Sequence, residues 1–260
     1  MGHRDILDSI NKRTYAAPKV VSWYEHLDFI LKPEQVILDS ITPLIRDKKL
    51  LDIGIGGGRT TKFLLEISKD YTGIDYTPRC VEVAAERYPG ANILCCDARD
   101  LRVFSDESFD FVLFAFNGID YVVHEDRIKV LNEIRRVLKP AGLFMFSTHN
   151  RDYKHFRKLP WQEGIQYTSG YLKSCLYTLA HLPKHFLMKK HERYTDEYAI
   201  VNDVAHGFSL LAYYIGVKEQ ISQLKKTGFT DIDVYDMNGM KVESNTEFPW
   251  TYFLARKGPQ

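Results

Sequence analysis

The sequence predicts an α/β fold in which helices flank a mostly parallel β-sheet. Between Leu50 and Thr148, short runs rich in β-branched and aromatic residues alternate with segments of helical periodicity, which is the pattern of repeated βα units. A glycine-rich turn from Gly54 to Gly58 follows the first of these runs. At 260 residues, the chain is long enough for one such domain with a modest insertion.

Each predicted element has a local signal in the sequence. The strands are short, apolar and rich in residues that favour extended backbone, and we predict them at 49–53, 71–75, 91–96, 109–116 and 142–148. The helices between them are predicted at 60–68, 79–88 and 124–138. The last of these ends at Lys139-Pro140-Ala141-Gly142, because proline and glycine stop a helix and favour a turn. Near the carboxyl end we predict strands at 198–203, 208–215, 229–235 and 250–256 and a helix at 217–226.

The chain is predicted to have three parts. Residues 1–47 form an N-terminal helical cap, with helices at 20–31 and 33–45 that pack over the glycine-rich turn. Residues 48–150 and 207–260 form the α/β domain. Residues 151–206 interrupt the alternation and form an inserted lid, in which residues 151–193 hold nine Lys or Arg against three Asp or Glu, interleaved with aromatic residues.

Composition excludes several classes of protein. With 45% hydrophobic residues, 27% charged residues and a formal net charge of +1, the chain is neither a disordered protein nor a globally basic nucleic-acid binder. Its four cysteines lack C-x-x-C spacing, so we expect no metal site and a reduced, cytoplasmic protein. The amino terminus is polar and no apolar run of about 18 residues occurs, so we expect neither a signal peptide nor a transmembrane segment.

The glycine-rich turn predicts a ligand that lies against bare backbone. Gly54, Gly56 and Gly58 follow Asp52 in the pattern D-x-G-x-G-x-G, between a strand and a helix. Glycine lets the chain turn tightly and removes the Cβ that would keep a ligand away. A dinucleotide fingerprint, G-x-G-x-x-G, would need glycine where Arg59 stands, which argues against NAD and FAD.

Two further acidic residues follow the next two strands. Asp75 comes about 20 residues after the turn, where a carboxylate can accept hydrogen bonds from two ribose hydroxyls. The alternative is that Asp75 caps the helix after it. Asp97, with Ala98 beside it, follows the third strand and either accepts a hydrogen bond from an adenine amino group or lies in an ordinary turn.

On these residues the sequence resembles the class I S-adenosylmethionine-dependent methyltransferases, in particular those that act on small molecules. Asp52 to Gly58 match the family's glycine-rich turn, and Asp75 and Asp97 match its two nucleoside acids. Residues 108–112 match the fourth strand, and residues 133–142 match the approach to the fifth strand. The resemblance implies a seven-stranded sheet in the order 3-2-1-4-5-7-6, with the seventh strand antiparallel and helices on both faces.

The resemblance also assigns roles toward the cofactor, S-adenosylmethionine. It implies that Asp52 and the glycine backbone hold the methionine portion and that Tyr76 packs on adenine. The chemistry is suitable, because a site with several carboxylates attracts a sulfonium and an amine but repels a pyrophosphate. Arg59 either meets the methionine carboxylate or is an exposed helical arginine.

The candidate catalytic base is a histidine beyond the carboxyl end of the sheet, where the reactive crevice of an open α/β sheet lies. His149 directly follows the fifth strand and His124 begins the helix after the fourth, and either can take a hydroxyl proton near neutral pH. The alternatives are helix capping for His124 and packing in a turn for His149. The candidate acceptor-binding residues lie at the same rim or near the lid, and they are Asn117, Asp120, Tyr121, His206, Tyr213 and Tyr214.

We therefore expect a methyltransferase that acts on a hydroxyl of a small molecule. The basic lid indicates an anionic acceptor such as a sugar nucleotide, a contact with anionic lipid, or an ordinary solvated face. N- or C-methylation and a non-catalytic cofactor-binding protein are the alternatives, and no nucleic-acid partner is expected. The acceptor, the catalytic base and the choice between monomer and homodimer stay open at this level.

Overall fold

The computed structural model describes residues 3–163, 166, 168–244 and 246–259. Residues 164, 165 and 167 of the predicted lid lie outside the described residues. The helices are α1 His3–Tyr15, α2 Pro18–Glu25, α3 Lys32–Ile45, α4 Thr61–Ile67, α5 Pro78–Arg87, α6 His124–Val137, α7 Ser169–Met188 and α8 Val217–Lys226. The strands are β1 Leu50–Ile53, β2 Tyr71–Asp75, β3 Asn92–Cys95, β4 Phe109–Phe114, β5 Leu138–Asn150, β6 Arg193–Tyr194, β7 Tyr198–Val201, β8 Ala212–Ile215, β9 Phe229–Tyr235 and β10 Trp250–Lys257.

The sheet confirms the predicted fold class and strand order. Strands β3, β2, β1, β4 and β5 lie side by side and run parallel. Strand β10 pairs antiparallel with both β5 and β9, so the core order is β3-β2-β1-β4-β5-β10-β9. Without the extra strands β6, β7 and β8, strand β9 is the sixth strand and β10 the seventh. The observed order is then the predicted order 3-2-1-4-5-7-6.

Three extra strands extend the predicted sheet. The pairing of β4 with β5 ends at Phe114 and Phe146, which leaves one edge at the carboxyl end of β5 without a partner strand. Strand β8 pairs parallel with that edge, with Tyr214 opposite His149, and β7 and β6 continue antiparallel beyond it. The predicted strands at 198–203 and 208–215 thus form the β7–β8 hairpin, and the insertion is continuous with the sheet.

The two faces of the sheet bury separate apolar clusters. Because side chains alternate along a strand, Leu51 and Val112 face one side while Leu50 and Phe111 face the other. The first side packs against buried residues of α6 and α8, and the second packs against α3 and α4. This arrangement covers both faces and leaves the carboxyl ends of the strands open for a site.

Several elements differ from the sequence prediction. Helix α1, the 20-residue helix α7 and the short strand β6 were not predicted. The helix predicted at 20–31 ends at Glu25, and the strand predicted at 208–215 begins at Ala212. Strand β5 begins directly after α6, and the expected turn is instead an irregular stretch of this strand with Ala141 at φ 60°. A register shift between Phe109 and Phe111 accommodates the irregularity.

Candidate functional site

The glycine-rich turn forms one wall of a pocket at the carboxyl end of β1. Gly54, Gly56 and Gly58 have φ values of 68°, 54° and 84°, a region that side chains disfavour. A Cβ on Gly54 would lie 2.8 Å from the Phe114 ring, so the close approach also requires glycine. The Gly56 amide donates to Asp75 Oδ2 at 2.9 Å, which ties the turn to the end of β2.

The pocket is narrow, and six of its 16 lining residues are aromatic. Its cavity measures about 90 Å³, below the about 300–1,000 Å³ of typical ligand pockets. The lining residues come from the ends of β1, β2 and β4, from the loop after β3 and from the N-terminal helices. They are Tyr15, Tyr24, Ile53, Gly54, Gly56, Asp75, Tyr76, Thr77, Cys80, Cys96, Ala98, Phe114, Ala115, Phe116, Gly118 and Tyr121.

Asp75 and Tyr76 lie in this pocket, as a nucleoside site requires. Asp75 accepts from the amides of Gly56 and Thr77 at 2.9 and 2.8 Å, and burial raises the pKa of its carboxyl. The bond to Thr77 places Asp75 in the turn before α5, whose N-cap residue is Thr77 itself. Each carboxylate oxygen retains a second lone pair, so Asp75 can hold the backbone turn and still accept from two ribose hydroxyls.

The third predicted acid is arranged differently. Ala98 lines the pocket, whereas Asp97 does not. Asp97 accepts from Arg99 Nε and Nη2 at 2.9 and 2.6 Å. Burial opposes ionisation of Asp97, but the hydrogen bonds from Arg99 outweigh it and lower the pKa. The adenine contact predicted for Asp97 therefore competes with an ion pair already formed.

Asp52 lies at the base of the turn and has an unused acceptor atom. Its Oδ2 accepts from the hydroxyls of Thr60 and Tyr71 at 2.7 and 3.1 Å. Its Oδ1 is buried and has no hydrogen-bond partner among the described residues. Burial raises the pKa of Asp52 to about 7. A buried carboxylate oxygen without a donor fits an ammonium group, so Asp52 together with the bare turn suits the amino-acid part of S-adenosylmethionine.

Gly58 and Arg59 lie away from the pocket. A Cβ on Gly58 would meet the Tyr88 ring at 2.7 Å, so its glycine requirement comes from packing as well as from φ. Arg59 is 5% exposed and forms two hydrogen bonds of 2.7 Å with Glu34 of α3. The exposed helical position, one of the two alternatives for Arg59, is therefore wrong. The contact with the methionine carboxylate stays a prediction, and it would compete with the ion pair to Glu34. A buried guanidinium needs a carboxylate partner, and Glu34 supplies it.

An aromatic cap covers the pocket. Tyr15 of α1 and Tyr24 of α2 line it, and the Tyr15 ring packs edge-on against Tyr121 at 5.1 Å between centroids. His206, with φ 48°, places its ring 6.1 Å from both Tyr15 and Tyr24. Two of the predicted acceptor-binding residues, Tyr121 and His206, thus meet at this cap. Tyr15 was not among the predicted site residues, because helix α1 was not predicted. The two helices that were predicted near the amino terminus were expected to pack over the turn.

His149 and Asp120 form a buried pair beyond the ends of β4 and β5. His149 Nδ1 donates to Asp120 Oδ2 at 2.7 Å, and the His149 backbone amide donates to the same oxygen at 2.7 Å. Because the ionised Asp120 only accepts, the proton of a neutral imidazole stays on Nδ1 and Nε2 carries the lone pair. The side chain of Asn117 lies 3.3 Å from that Nε2.

Asp120 is a positioning residue rather than an acceptor-binding one. It is fully buried and accepts from Arg127 Nη1 at 2.5 Å and from Thr148 Oγ1 at 2.6 Å. Arg127 is itself fully buried and is held by Gln220 at 2.7 Å. The predicted contact between Asp120 and acceptor is therefore wrong, because no surface of its side chain is open to a ligand.

The backbone before this pair is strained. Phe116 and Asn117 have φ values of 55° and 57°, and the left-handed region is unusual for a bulky residue such as Phe116. The two residues reverse the chain after β4 and lead into the 3-10 turn Gly118–Tyr121, which carries Asp120. Strain of this kind is common where a fold positions functional side chains.

His124 and Tyr213 lie outside the pocket, so their predicted roles in catalysis and acceptor binding are not supported by their position. His124 Nδ1 lies 2.8 Å from the Tyr213 hydroxyl, and its ring stacks on Tyr198 at 4.4 Å. Burial lowers the pKa of His124. Tyr213 is fully buried and its ring stacks beneath Arg127 at 4.6 Å. Both residues join α6 to the β7–β8 hairpin. The hairpin therefore occupies the rim that was predicted to be open to the acceptor.

A second, larger cavity lies within the insertion. It measures about 700 Å³ and is bounded by residues 153–163, by α7 and by the β7–β8 hairpin. Its wall includes the cations Arg157, Lys158 and Lys189 and the ring of Tyr214. The Tyr214 hydroxyl donates to Asp203 at 3.0 Å.

His149 contacts a wall residue of each of the two cavities, although it lines neither itself. Its ring centroid is 4.7 Å from that of Tyr214, which lines the insertion cavity, and 6.2 Å from that of Tyr121, which lines the cofactor pocket. The side chain is 6% exposed. The arrangement brings together His149, Tyr121 and Tyr214, three of the side chains predicted from the sequence.

Two classes of site are not found among the described residues. Within them, no group of three or more His, Cys, Asp or Glu side chains is arranged to hold a metal ion. Across the same part of the chain, no helix is long and apolar enough to cross a membrane.

Comparison with known proteins identifies the central part of the chain. Residues 51–146 match the family model described as a methyltransferase domain. The ubiquinone biosynthesis O-methyltransferase of Cereibacter sphaeroides is 34% identical over 113 residues, which are 42% of this chain and 44% of that protein. The probable tRNA methyltransferase 9B of Bos taurus is 32% identical over 123 residues, which are 45% of this chain and 26% of that protein. The chain spans less than half the length of these curated relatives.

A solved structure extends the likeness to most of the fold. The 1,6-didemethyltoxoflavin-N1-methyltransferase of Burkholderia thailandensis, with bound 1,6-didemethyltoxoflavin and S-adenosylhomocysteine, aligns with a TM-score of 0.54 at 16% identity. The alignment covers 88% of this chain and 79% of that one. At this identity the likeness shows the fold. Together with the matched domain, it confirms the fold that the resemblance to class I methyltransferases implied.

Proposed function

We propose that this chain, whose residues 51–146 form a methyltransferase domain of the class I fold, transfers a methyl group from S-adenosylmethionine to a small-molecule hydroxyl. The observation that carries the proposal is the contact of His149 with one wall residue of the cofactor pocket and with one of the insertion cavity. When bound, S-adenosylmethionine supplies an activated methyl group on a sulfonium. The protein must then align the acceptor, exclude water and, for a hydroxyl, remove a proton.

His149 is the proposed base. Its Nε2 has the free lone pair because Asp120 holds the proton on Nδ1. The 3.3 Å contact from Asn117 to Nε2 is long for a hydrogen bond, so an acceptor hydroxyl can replace it. Asp120 keeps the ring in place through its bonds to Arg127 and Thr148. A base held in this way favours a hydroxyl acceptor over an amine or a carbon acceptor, which are the alternatives.

The cofactor would lie against the glycine turn. Asp75 would accept from the ribose hydroxyls, Tyr76 and Ala98 would contact adenine, and Asp52 would accept from the ammonium group. The cavity of about 90 Å³ must enlarge for this, and the proposal is that the rings of Tyr15 and Tyr24, which line it, move aside. Closure of the same rings over the cofactor would exclude water from the reaction.

The test of the base compares two histidines. His149→Gln should lower kcat by about 10²- to 10⁴-fold, while the dissociation constant of S-adenosylhomocysteine stays the same. His124→Gln is the matched control, because His124 is also a hydrogen-bonded histidine but is half-buried, and its ring packs on Tyr198 and Tyr213, which line neither cavity. The acceptor is first found by screening phenols, amines and sugar nucleotides for S-adenosylhomocysteine release by mass spectrometry. Tight cofactor binding without release from any acceptor would favour a non-catalytic cofactor-binding protein.

The acceptor is proposed to be a small molecule with an anionic group. Arg157, Lys158 and Lys189 line the insertion cavity beside aromatic side chains, and the same wall also carries Glu163, Glu192 and Asp203. The three cations can pair with an anionic group of the acceptor, while the aromatic rings contact its apolar body. We expect the Lys158→Gln and Lys189→Gln variants to raise the acceptor KM and to leave cofactor affinity unchanged. The wild-type KM should also rise with salt. A KM that responds to neither change would remove the sugar-nucleotide preference.

We also propose a reducing compartment, the cytoplasm, for this protein. The four cysteines are free, and burial raises the pKa of Cys80 to about 12, which keeps it an inert thiol. A monomer or a homodimer is compatible with the fold.

A further inference from the structure

Helix α7 presents an apolar stripe to solvent. Five of its large apolar side chains are between 52% and 70% exposed, and they are Leu172, Leu176, Leu179, Phe186 and Leu187. Their spacing places them on one face of the helix. Thr178, on the opposite face, is the helix's one fully buried residue. The helix therefore exposes an apolar stripe in addition to the half-buried Leu182 and Met188 on its inner side, whereas a surface helix usually has polar residues on its outer face.

The charge around this stripe has one sign. From Ser169 to His191 the chain has four lysines and three histidines and neither Asp nor Glu. Lys173 lies one residue after Leu172, and Lys184 is also exposed. An apolar stripe bordered by cations is the composition of a helix that lies in the plane of an anionic membrane surface.

This pattern favours lipid over a second copy of the chain. If two copies met through the same stripe, a two-fold axis would bring their lysines to the same interface. No acidic side chain on α7 could compensate for this repulsion. Anionic headgroups, in contrast, complement the lysines while the acyl region receives the leucines.

We propose that α7 docks on an anionic bilayer, with its apolar stripe in the headgroup layer. Phe186 belongs to the stripe and also lines the insertion cavity. His185 and Lys189, its neighbours in sequence, line the same cavity. The docked helix would therefore bring one wall of the cavity to the membrane, and the acceptor would be an amphiphile taken up from the interface. The docking proposal is argued from the surface of α7 alone, whereas the proposed uptake of the acceptor rests on the proposed function.

The experiment is co-sedimentation with vesicles. The full chain should sediment with vesicles of equal parts phosphatidylcholine and phosphatidylglycerol, and much less with phosphatidylcholine alone. Replacing Leu172, Leu176 and Leu179 together by Gln should weaken vesicle binding at least tenfold. Leu44→Gln is the matched control, because Leu44 of α3 is 58% exposed and lies on another helix. It should bind like the wild type.

Several outcomes would overturn the docking proposal. These are wild-type binding by the triple variant, equal binding to both vesicle types, or loss of binding in the Leu44→Gln control. Concentration-dependent dimerisation in the absence of lipid, abolished in the triple variant, would assign the stripe to a second copy instead. Affinity for S-adenosylhomocysteine, measured on the triple variant without vesicles, should equal that of the wild type. This measurement separates failure of docking from failure of the proposed cofactor site.

Discussion

The buried ion pair between Glu34 and Arg59 should be the main anchor of the N-terminal cap on the cofactor turn. Glu34 is 1% exposed and Arg59 is 6% exposed, and two hydrogen bonds of 2.7 Å join them. Arg59 directly follows Gly58, and Glu34 lies in the first turn of α3. Replacing Glu34 by Ala would leave the guanidinium buried and without its carboxylate.

The expected cost follows from this geometry. Two unit charges about 4 Å apart attract by about 4 kcal/mol at an effective dielectric constant of about 20. Breaking a buried pair by removing one partner costs about 3–5 kcal/mol, because the remaining charge is uncompensated. In a chain of this size each kcal/mol corresponds to about 2–4 °C in Tm. We therefore expect Glu34→Ala to lower Tm by about 10 °C.

Two variants show whether the cost comes from the buried charge. Glu82→Ala is the matched control, because Glu82 pairs with Arg79 at 2.8 Å but both side chains are 59% exposed. An exposed pair of this kind is worth about 0–1 kcal/mol. The double replacement of Glu34 and Arg59 by Leu and Met should recover much of the loss, since it removes both charges.

Thermal and urea unfolding, followed by circular dichroism, measure these changes in the free energy of unfolding. A Glu34→Ala variant within about 1 kcal/mol of the wild type would show that the ion pair does not anchor the cap. A Glu82→Ala variant that costs as much as Glu34→Ala would show that burial is not the cause.

Three further predictions concern the cofactor site. Asp75→Ala should weaken S-adenosylhomocysteine binding by about 2 kcal/mol or more, because two hydrogen bonds to a charged acceptor are lost, and calorimetry on a variant with a normal melting curve checks this. Asp97→Ala should have a smaller effect, since Asp97 is held by Arg99 outside the pocket. Because burial raises the pKa of Asp52 to about 7, its carboxyl is protonated below that pH, and cofactor affinity should fall as the pH is lowered through this range. Calorimetry across the range should show this fall in the wild type and a flat profile in Asp52→Asn.

The cofactor half of the molecule could be predicted because its signals are local. The turn requires a positive φ at Gly54 and Gly56, which favours glycine at these positions. Asp75 follows the turn by about 20 residues, because one helix and the next strand lie between them. The insertion lacks such signals. Helix α7 has an apolar stripe on its outer face and Pro183 within it, so neither the orientation nor the continuity of the helix could be inferred from periodicity.

The pairing of His149 with Asp120 could not be predicted from the sequence. The position of His149 after the fifth strand was sufficient to make it a candidate, because strand ends converge at the crevice. Its partner lies 29 residues away in sequence, and Asp120 looked like an acceptor-binding turn residue. Only the left-handed backbone at Phe116 and Asn117 carries Asp120 beneath the end of β5, where Arg127 holds it. Packing of the surrounding structure, rather than local propensity, stabilises a strained turn of this kind. The position of the His149 imidazole could therefore be predicted, but Asp120 as the group that orients it could not.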